Sequence, residues 1–301
     1  MTDVQKRDAF SAYHPLVNFL YFGLVLVFSM CILHPVCLGI SLLSALCYCI
    51  SLKGRRSLRA SLRYLLPMLL LTAIINPAFN HEGATILTYL PSGNPLTLES
   101  IFYGLAAAAM LIAVLLWFSC YTEVMTSDKF VYLFGRVIPS LSLVLSMTLR
   151  FVPKFSAQLR QVRAAQRAIG RDLSGGKLRQ RLHNAVTILS VMVTWSLENA
   201  IHTADSMKSR GYGLPGRTAF SIFRFDDRDR LMLIWLLFCG LYITAGWIGG
   251  GFYWKFFPMV RCAKMTPLTV SFELTYLALC LTPLILNCVE DRTWRKLKSE
   301  I

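Results

Sequence analysis

Residues 16–33, LVNFLYFGLVLVFSMCIL, contain no Asp, Glu, Lys or Arg, and neither do residues 231–250, LMLIWLLFCGLYITAGWIGG. A helix crosses the hydrocarbon core of a bilayer with about 20 such residues. Inside lipid no water can pair with a backbone amide, so each run must satisfy its own hydrogen bonds as a helix. The whole chain is 55% hydrophobic with a mean hydropathy of +0.53, too apolar for an ordinary soluble domain. The expected fold class is all-α: a polytopic helical membrane protein. Residues 1–15 do not read as a cleavable signal, because the apolar run that follows is long and no small-residue cleavage site is evident.

Charge sets the expected topology. The net charge is +15, and more than half of the 31 Lys and Arg fall within residues 123–230. Five more crowd into KGRRSLRASLR at 53–63, while residues 80–98 carry none. Basic loops stay on the cytoplasmic side. That rule puts 53–63 and 123–230 inside and 80–98 outside. About six spans satisfy it: 16–33, 36–52, 64–79, 101–122, 231–250 and 267–289. Both termini are then cytoplasmic, and the lipid bilayer of the cell membrane accounts for the basic charge without invoking nucleic acid. Asn76-Pro77 is expected to mark a helix end near the outer side. Three regions follow: N-terminal membrane helices (1–122), a basic cytoplasmic region (123–230), and C-terminal membrane helices with a basic tail (231–301).

Most of the nine cysteines lie in or beside apolar runs, with no C-x-x-C pair. They read as small buried hydrophobes, and a disulfide framework would need a small, loop-rich secreted chain.

The region 123–230 divides into two amphipathic helical stretches. In the first, from about Ser140 to Ile169, Phe151, Phe155, Leu159, Val162 and Ile169 recur at helical spacing, with Arg160, Arg163 and Arg167 on another side. Pro139 and Pro153 are expected to start or kink this helix. In the second, from about Lys177 to Arg210, Leu178, Leu182, Val186, Leu189, Val193, Leu197, Ile201 and Ala204 step along one face. The uncharged core from Ala185 to Leu197 is too short to cross a bilayer. Both stretches end alike, in Ala168-Ile169-Gly170 and Ser209-Arg210-Gly211. A glycine just past the last helical residue adopts the left-handed conformation that closes a helix.

Between them lies Leu173-Ser174-Gly175-Gly176-Lys177, which imitates an ATPase signature and nearly imitates a phosphate loop. Neither match holds chemically. A phosphate loop needs G-x-x-x-x-G-K-[ST] between a strand and a helix. Here the spacing is wrong, Leu178 replaces the hydroxyl that would hold magnesium, and no strand precedes. The glycines read as the turn between two helices.

Three short segments, in order, carry a family resemblance. They are Leu149-Arg150-Phe151-Val152-Pro153, then Arg163-Ala164-Ala165-Gln166-Arg167-Ala168-Ile169-Gly170, then Ala204-Asp205-Ser206-Met207-Lys208-Ser209-Arg210-Gly211-Tyr212-Gly213. Together they resemble the transmembrane (T) component of energy-coupling factor (ECF) transporters, the EcfT/CbiQ family. The layout is similar over nearly the whole chain, and the specific match covers about 139–218. The resemblance implies a non-catalytic scaffold without cofactor or bound metal. Its two long cytoplasmic coupling helices would dock by their tips into two ABC ATPase subunits, and its membrane part would hold a small S component that binds a vitamin or transition metal ion. The implied docking residues are Ser209, Arg210 and Gly211 at one tip, and Ala168, Ile169 and Gly170 at the other, flanked by Arg167 and Arg171. Arg150 and Pro153 would anchor the coupling region at the membrane surface. The chain departs from the family at Ile169, where the pattern has arginine. Either Ile169 enters an apolar groove, or Arg167 or Arg171 supplies the charge, and two non-identical ATPases are expected.

Other candidates point elsewhere. Glu198, His202 and Asp205 share a helical spacing and define an alternative, a membrane-embedded metal-dependent enzyme, although a metal needs converging ligands of suitable number and geometry. A permease subunit that binds solute itself is a third reading. Glu273, inside the last span, is costly in lipid and a functional candidate on that ground. Ala106–Ala109, after Gly104, permit close helix approach and are a candidate grip for the S component.

Overall fold

The computed structural model describes residues 8–89, 95–135, 139–171, 177–215, 223–262 and 265–299. It divides into two compact units, Met1–Thr126 with Phe223–Ile301, and Ser127–Ile222.

In the first unit, each run expected to span falls on a helix: α1 (Pro15–Cys31), α2 (Pro35–Phe79), α3 (Leu98–Val124), α7 (Asp227–Ile248) and α8 (Pro267–Ser299). Among the described residues, Pro35–Gly54, Leu98–Val124, Asp227–Ile248 and Pro267–Ser299 are long and apolar enough to cross a membrane. Pro15–Cys31 and Leu65–Phe79 are shorter apolar helices. The all-helical, polytopic class is therefore what the chain adopts. Two small antiparallel hairpins were not anticipated: β1 (Ile86–Tyr89) with β2 (Pro95–Thr97), and β3 (Trp254–Lys255) with β4 (Arg261–Cys262).

The second and third expected spans meet without a loop. Helix α2 is continuous from Pro35 to Phe79 except at Gly54, which takes φ 74° and ψ 166°. Residues 53–63 are thus helical rather than a basic loop. Their Lys, Arg, Leu and Ala are strong helix formers, and only the glycine tolerates the positive φ of the break. The chain doubles back there. Lys53 donates to Ser119 Oγ (2.8 Å) near the end of α3, whereas Ala73, Asn76 and Pro77 crowd Gly104 near its beginning. Pro77 lies within the helix, which ends two residues later than Asn76-Pro77 suggested.

The core packs around Trp117, Tyr21, Tyr48 and Tyr276, which are among the largest fully buried side chains. At its centre four helices share one polar knot. Trp117 Nε1 of α3 donates to Ser41 Oγ of α2 at 3.0 Å. Ser41 Oγ lies 2.7 Å from Ser29 Oγ of α1, and Ser29 Oγ lies 3.1 Å from the Tyr276 hydroxyl of α8. Such groups bind helices together where neither water nor lipid can satisfy them. Ser41→Ala leaves the indole N–H of Trp117 without its acceptor. A loss of about 1–3 kcal/mol is expected, read as a lower unfolding midpoint in detergent. An unchanged midpoint would mean that the knot is not stabilising.

The two ends of this unit are tied by charge. At one end Asp8 accepts from the Tyr48 hydroxyl (3.0 Å) and from the amide of Asn287, whose oxygen accepts from Ala9 N (2.8 Å). Asp229 caps α7, accepting from Asp226 N (3.1 Å), and also accepts from His14 N (3.0 Å). Arg228 stands 4.7 Å over the Tyr13 ring. The N-terminal segment is thus sewn to α2, α7 and α8. At the other end Glu99, in the first turn of α3, accepts from the backbone and hydroxyl of Thr85. Cys37, Cys49, Cys120, Cys239 and Cys280 are buried and free, while Cys31, Cys47, Cys262 and Cys288 are exposed.

The second unit contains α4 (Ser127–Gly135), α5 (Pro139–Ala168) and α6 (Leu178–Ser209). The short α4 adds a third helix to the two expected. Pro153 sits inside α5, and the helix runs through it rather than starting there. The LSGG turn lies outside the described residues.

Candidate functional site

The candidate site is a pair of helix ends. Helix α5 closes by a bond from Gly170 N to Arg167 O (3.0 Å) and one from Arg171 N to Gln166 O (2.9 Å). Helix α6 closes by Gly211 N to Lys208 O (2.9 Å) and Tyr212 N to Met207 O (3.0 Å). Each is the paired closure in which the residue after the glycine reaches back five positions and the glycine reaches back three. The glycines carry matching left-handed torsions, φ 79° at Gly170 and 77° at Gly211. A side chain at either glycine would strain this conformation. Ala168 and Ser209 are therefore equivalent positions, as are Ile169 and Arg210, and Arg171 and Tyr212.

All the expected docking residues lie at these ends. Ala168, Ile169, Gly170 and Arg171 are exposed, as are Ser209 and Arg210, and Gly211 is partly covered. Ile169 is 65% exposed although its expected stripe partners Phe155, Leu159 and Val162 pack against α6. The Ser209 hydroxyl donates to Ser206 O at 2.9 Å and leaves the tip to its neighbour. Arg210 stands where the unpaired carbonyls give a helix its negative pole, which favours a cation. Arg150 and Pro153 are exposed on α5.

The contact between α5 and α6 is small and one-sided. Val162 packs with Ile188 and Met192, and Phe155 meets Trp195 edge-on with ring centroids 5.2 Å apart. Lys154 donates to Asn199 Oδ1 and lies 5.6 Å from the centre of the Trp195 ring. The stripe that periodicity singled out on α6 faces the other way. Leu178, Leu182, Val186, Leu189, Val193, Leu197 and Ile201 are each at least half exposed. An amphipathic helix normally buries its apolar face, so this face lacks the covering that its composition calls for.

The remaining candidates resolve differently. Glu198 and His202 are 4.0 Å apart on an open surface, with side chains 69% and 76% exposed. Among the described residues no three His, Cys, Asp or Glu converge as metal ligands. Glu273 approaches His34 Nδ1 at 3.4 Å without hydrogen-bond alignment. Burial holds the His34 imidazole below its ordinary pKa, and Glu273 opposes that shift only in part. His34 also meets the edge of Trp254 at 5.2 Å. Gly104 is buried against Ala73, Asn76 and Pro77 of α2 and Ala108 is buried, while Ala106, Ala107 and Ala109 are partly exposed.

Among the described residues four helices are long and apolar enough to cross a membrane, which makes this a polytopic membrane protein. The model of the CbiQ family, described as cobalt transport protein, matches residues 11–220, and the chain belongs to that family. Curated relatives agree. A protein of Exiguobacterium sibiricum called energy-coupling factor transporter transmembrane protein EcfT is 32% identical over 113 residues, 37% of this chain and 42% of that one. The protein of that name in Lactobacillus helveticus is 34% identical over 106 residues, 35% and 38% of the two chains. In Listeria innocua it is 29% identical over 181 residues, 55% and 66%. The match to the first two spans about two-fifths of their length.

Proposed function

We propose that this chain is the non-catalytic transmembrane coupling subunit of an ECF-type importer. It links two ABC ATPase subunits to a small membrane S component that binds a vitamin or a transition metal ion. Both termini and the second unit lie on the cytoplasmic side in this reading. The observation that carries it is the pair of matched helix closures presenting exposed side chains from glycine-capped ends. Each tip enters a groove of one ATPase. The guanidinium of Arg210 makes several charge-assisted hydrogen bonds to acids or carbonyls there. Helix α5 is anchored at the membrane surface near Arg150 and Pro153. ATP hydrolysis occurs in the partners, and its motion passes through α5 and α6.

We assign the open apolar face of α6 to the cytoplasmic end of the S component, in addition to the hold of the membrane part. The face is long, uncharged from Ala185 to Leu197, and already on the helix whose tip meets the ATPase, so motion of one is transmitted to the other. Leu189→Glu with Val193→Glu places two charges on that face. The S component is expected to fall at least tenfold in the purified complex, about the effect of burying an unpaired charge, while the ATPases remain. Retention of the S component at its normal level would remove this assignment.

The test of the whole reading is affinity purification of the tagged chain from its own membranes in mild detergent, with crosslinking, and identification of its companions by mass spectrometry. The expected companions are ABC ATPases and one or more small, very hydrophobic proteins. A crosslinked preparation without ATPases would overturn the reading.

A further inference from the structure

The two closures share one backbone geometry, yet they carry their side chains in exchanged order. At the tip of α5 the last residue before the glycine is apolar, Ile169, and the first after it is cationic, Arg171. At the tip of α6 the residue before the glycine is cationic, Arg210, and the one after it is aromatic, Tyr212. Both closures also keep a cation three residues before the glycine, Arg167 and Lys208. Charge is therefore not missing from the first tip. It has moved across the glycine, and the apolar group has moved the opposite way. The glycine φ values are 79° and 77° and the same two backbone bonds close each end, so the flanking residues occupy corresponding positions.

A groove shaped for one tip is wrong for the other. A groove that fits α6 sets its carboxylates or carbonyls at the helix end and an apolar wall beyond the glycine. Docking α5 there would press Ile169 on the acceptors and bury the Arg171 guanidinium against the apolar wall. An unpaired buried charge and an unsatisfied acceptor both oppose binding. Rejection of the wrong partner by such mismatches is how interfaces obtain specificity. We infer that Ile169 with Arg171, and Arg210 with Tyr212, are two specificity keys that direct the two tips to two chemically different ATPase chains. The α5 tip takes the ATPase whose groove has an apolar pocket at the helix end and an acidic group beyond it. The α6 tip takes the one with the reverse order. This inference rests on the coupling-subunit reading.

Photo-crosslinking of the assembled complex tests it with the keys intact. A benzophenone amino acid is placed at Ala168 in one variant and at Ser209 in the other, equivalent positions beside each key. The ATPase captured by each is identified by mass spectrometry. Position 168 is expected to capture one ATPase and position 209 the other, each with at least about tenfold preference. In a chain carrying Ile169→Arg, Arg171→Tyr, Arg210→Ile and Tyr212→Arg, the preferences are expected to reverse. Capture of the same ATPase at both positions, or preferences unchanged by the exchange, would overturn the keys while leaving the docking reading intact. Copurified ATPases that crosslink to neither position would overturn docking by these tips altogether.

Discussion

Arg210→Glu is expected to detach the ATPase from the α6 tip. A buried arginine at a protein interface is commonly worth ~2 kcal/mol or more on truncation, about 30-fold in affinity. Reversal of its charge adds repulsion from whatever acids received it. The substitution also places an anion at the negative pole of α6, a smaller unfavourable effect on the helix itself. The closure should survive, since it is made by the backbone of Gly211 and Tyr212 with Lys208 and Met207. The variant should insert and purify like the parent and bring down at least tenfold less of the ATPase that docks at the α6 tip. Arg160→Glu, an exposed charge in the body of α5, is the control and should change little. Full retention by Arg210→Glu of the ATPase that crosslinks to position 209 would mean that this tip is not a docking point.

Gly104→Val should have the largest effect on the fold. A Cβ at Gly104 would lie 2.9 Å from Ala73 O, 3.2 Å from Asn76 Cβ and 3.2 Å from Pro77 Cδ. The nearest of these is a helix backbone oxygen, which cannot swing aside as a side-chain tip can. Forcing atoms into a packed site costs about 1–3 kcal/mol, and more when the backbone must shift. Separation of the second half of α2 from α3 is the expected result, seen as loss of monodisperse protein in detergent. Gly39→Ala is the contrasting change. Nothing lies within 4 Å of its Cβ position, in the first half of the same helix. There alanine should be neutral or stabilising by up to ~1 kcal/mol through helix propensity. Equal behaviour of the two variants would refute the close approach at Gly104.

The sequence made the apolar helices legible because a bilayer imposes length and uncharged composition on any helix that crosses it. Residues 231–250 needed no neighbours to be read as such a helix. The helix ends were legible for a similar reason, since Gly170 and Gly211 are local signals that act through their own backbone. The reversal at Gly54 was not, because KGRRSLRASLR looks like a basic loop by charge and like a helix by propensity. Contacts of Lys53 and Asn76 with opposite ends of α3 decide between them. The knot of Ser29, Ser41, Trp117 and Tyr276 was invisible for another reason. Serines inside apolar runs are common, and nothing local says which of them meet. The direction of the α6 stripe was equally hidden: periodicity defines a face without saying what covers it. The smaller face bearing Ile188 and Met192 is the one that packs on α5.

The division of the chain has a consequence for its synthesis. The first unit is assembled from residues on both sides of the second. Translation therefore delivers α1, α2 and α3, then the whole of residues 127–222, and only afterwards the helices that complete the first unit. Until α8 emerges, the Ser29 hydroxyl lacks Tyr276, and Asp8 lacks Asn287. The nascent chain must then keep a half-built helical core in the bilayer while its basic insert is already outside the ribosome. A premature stop between residue 222 and the start of α8 would release a product with complete helix tips and an open membrane core, a form suited to recognition by quality-control proteases.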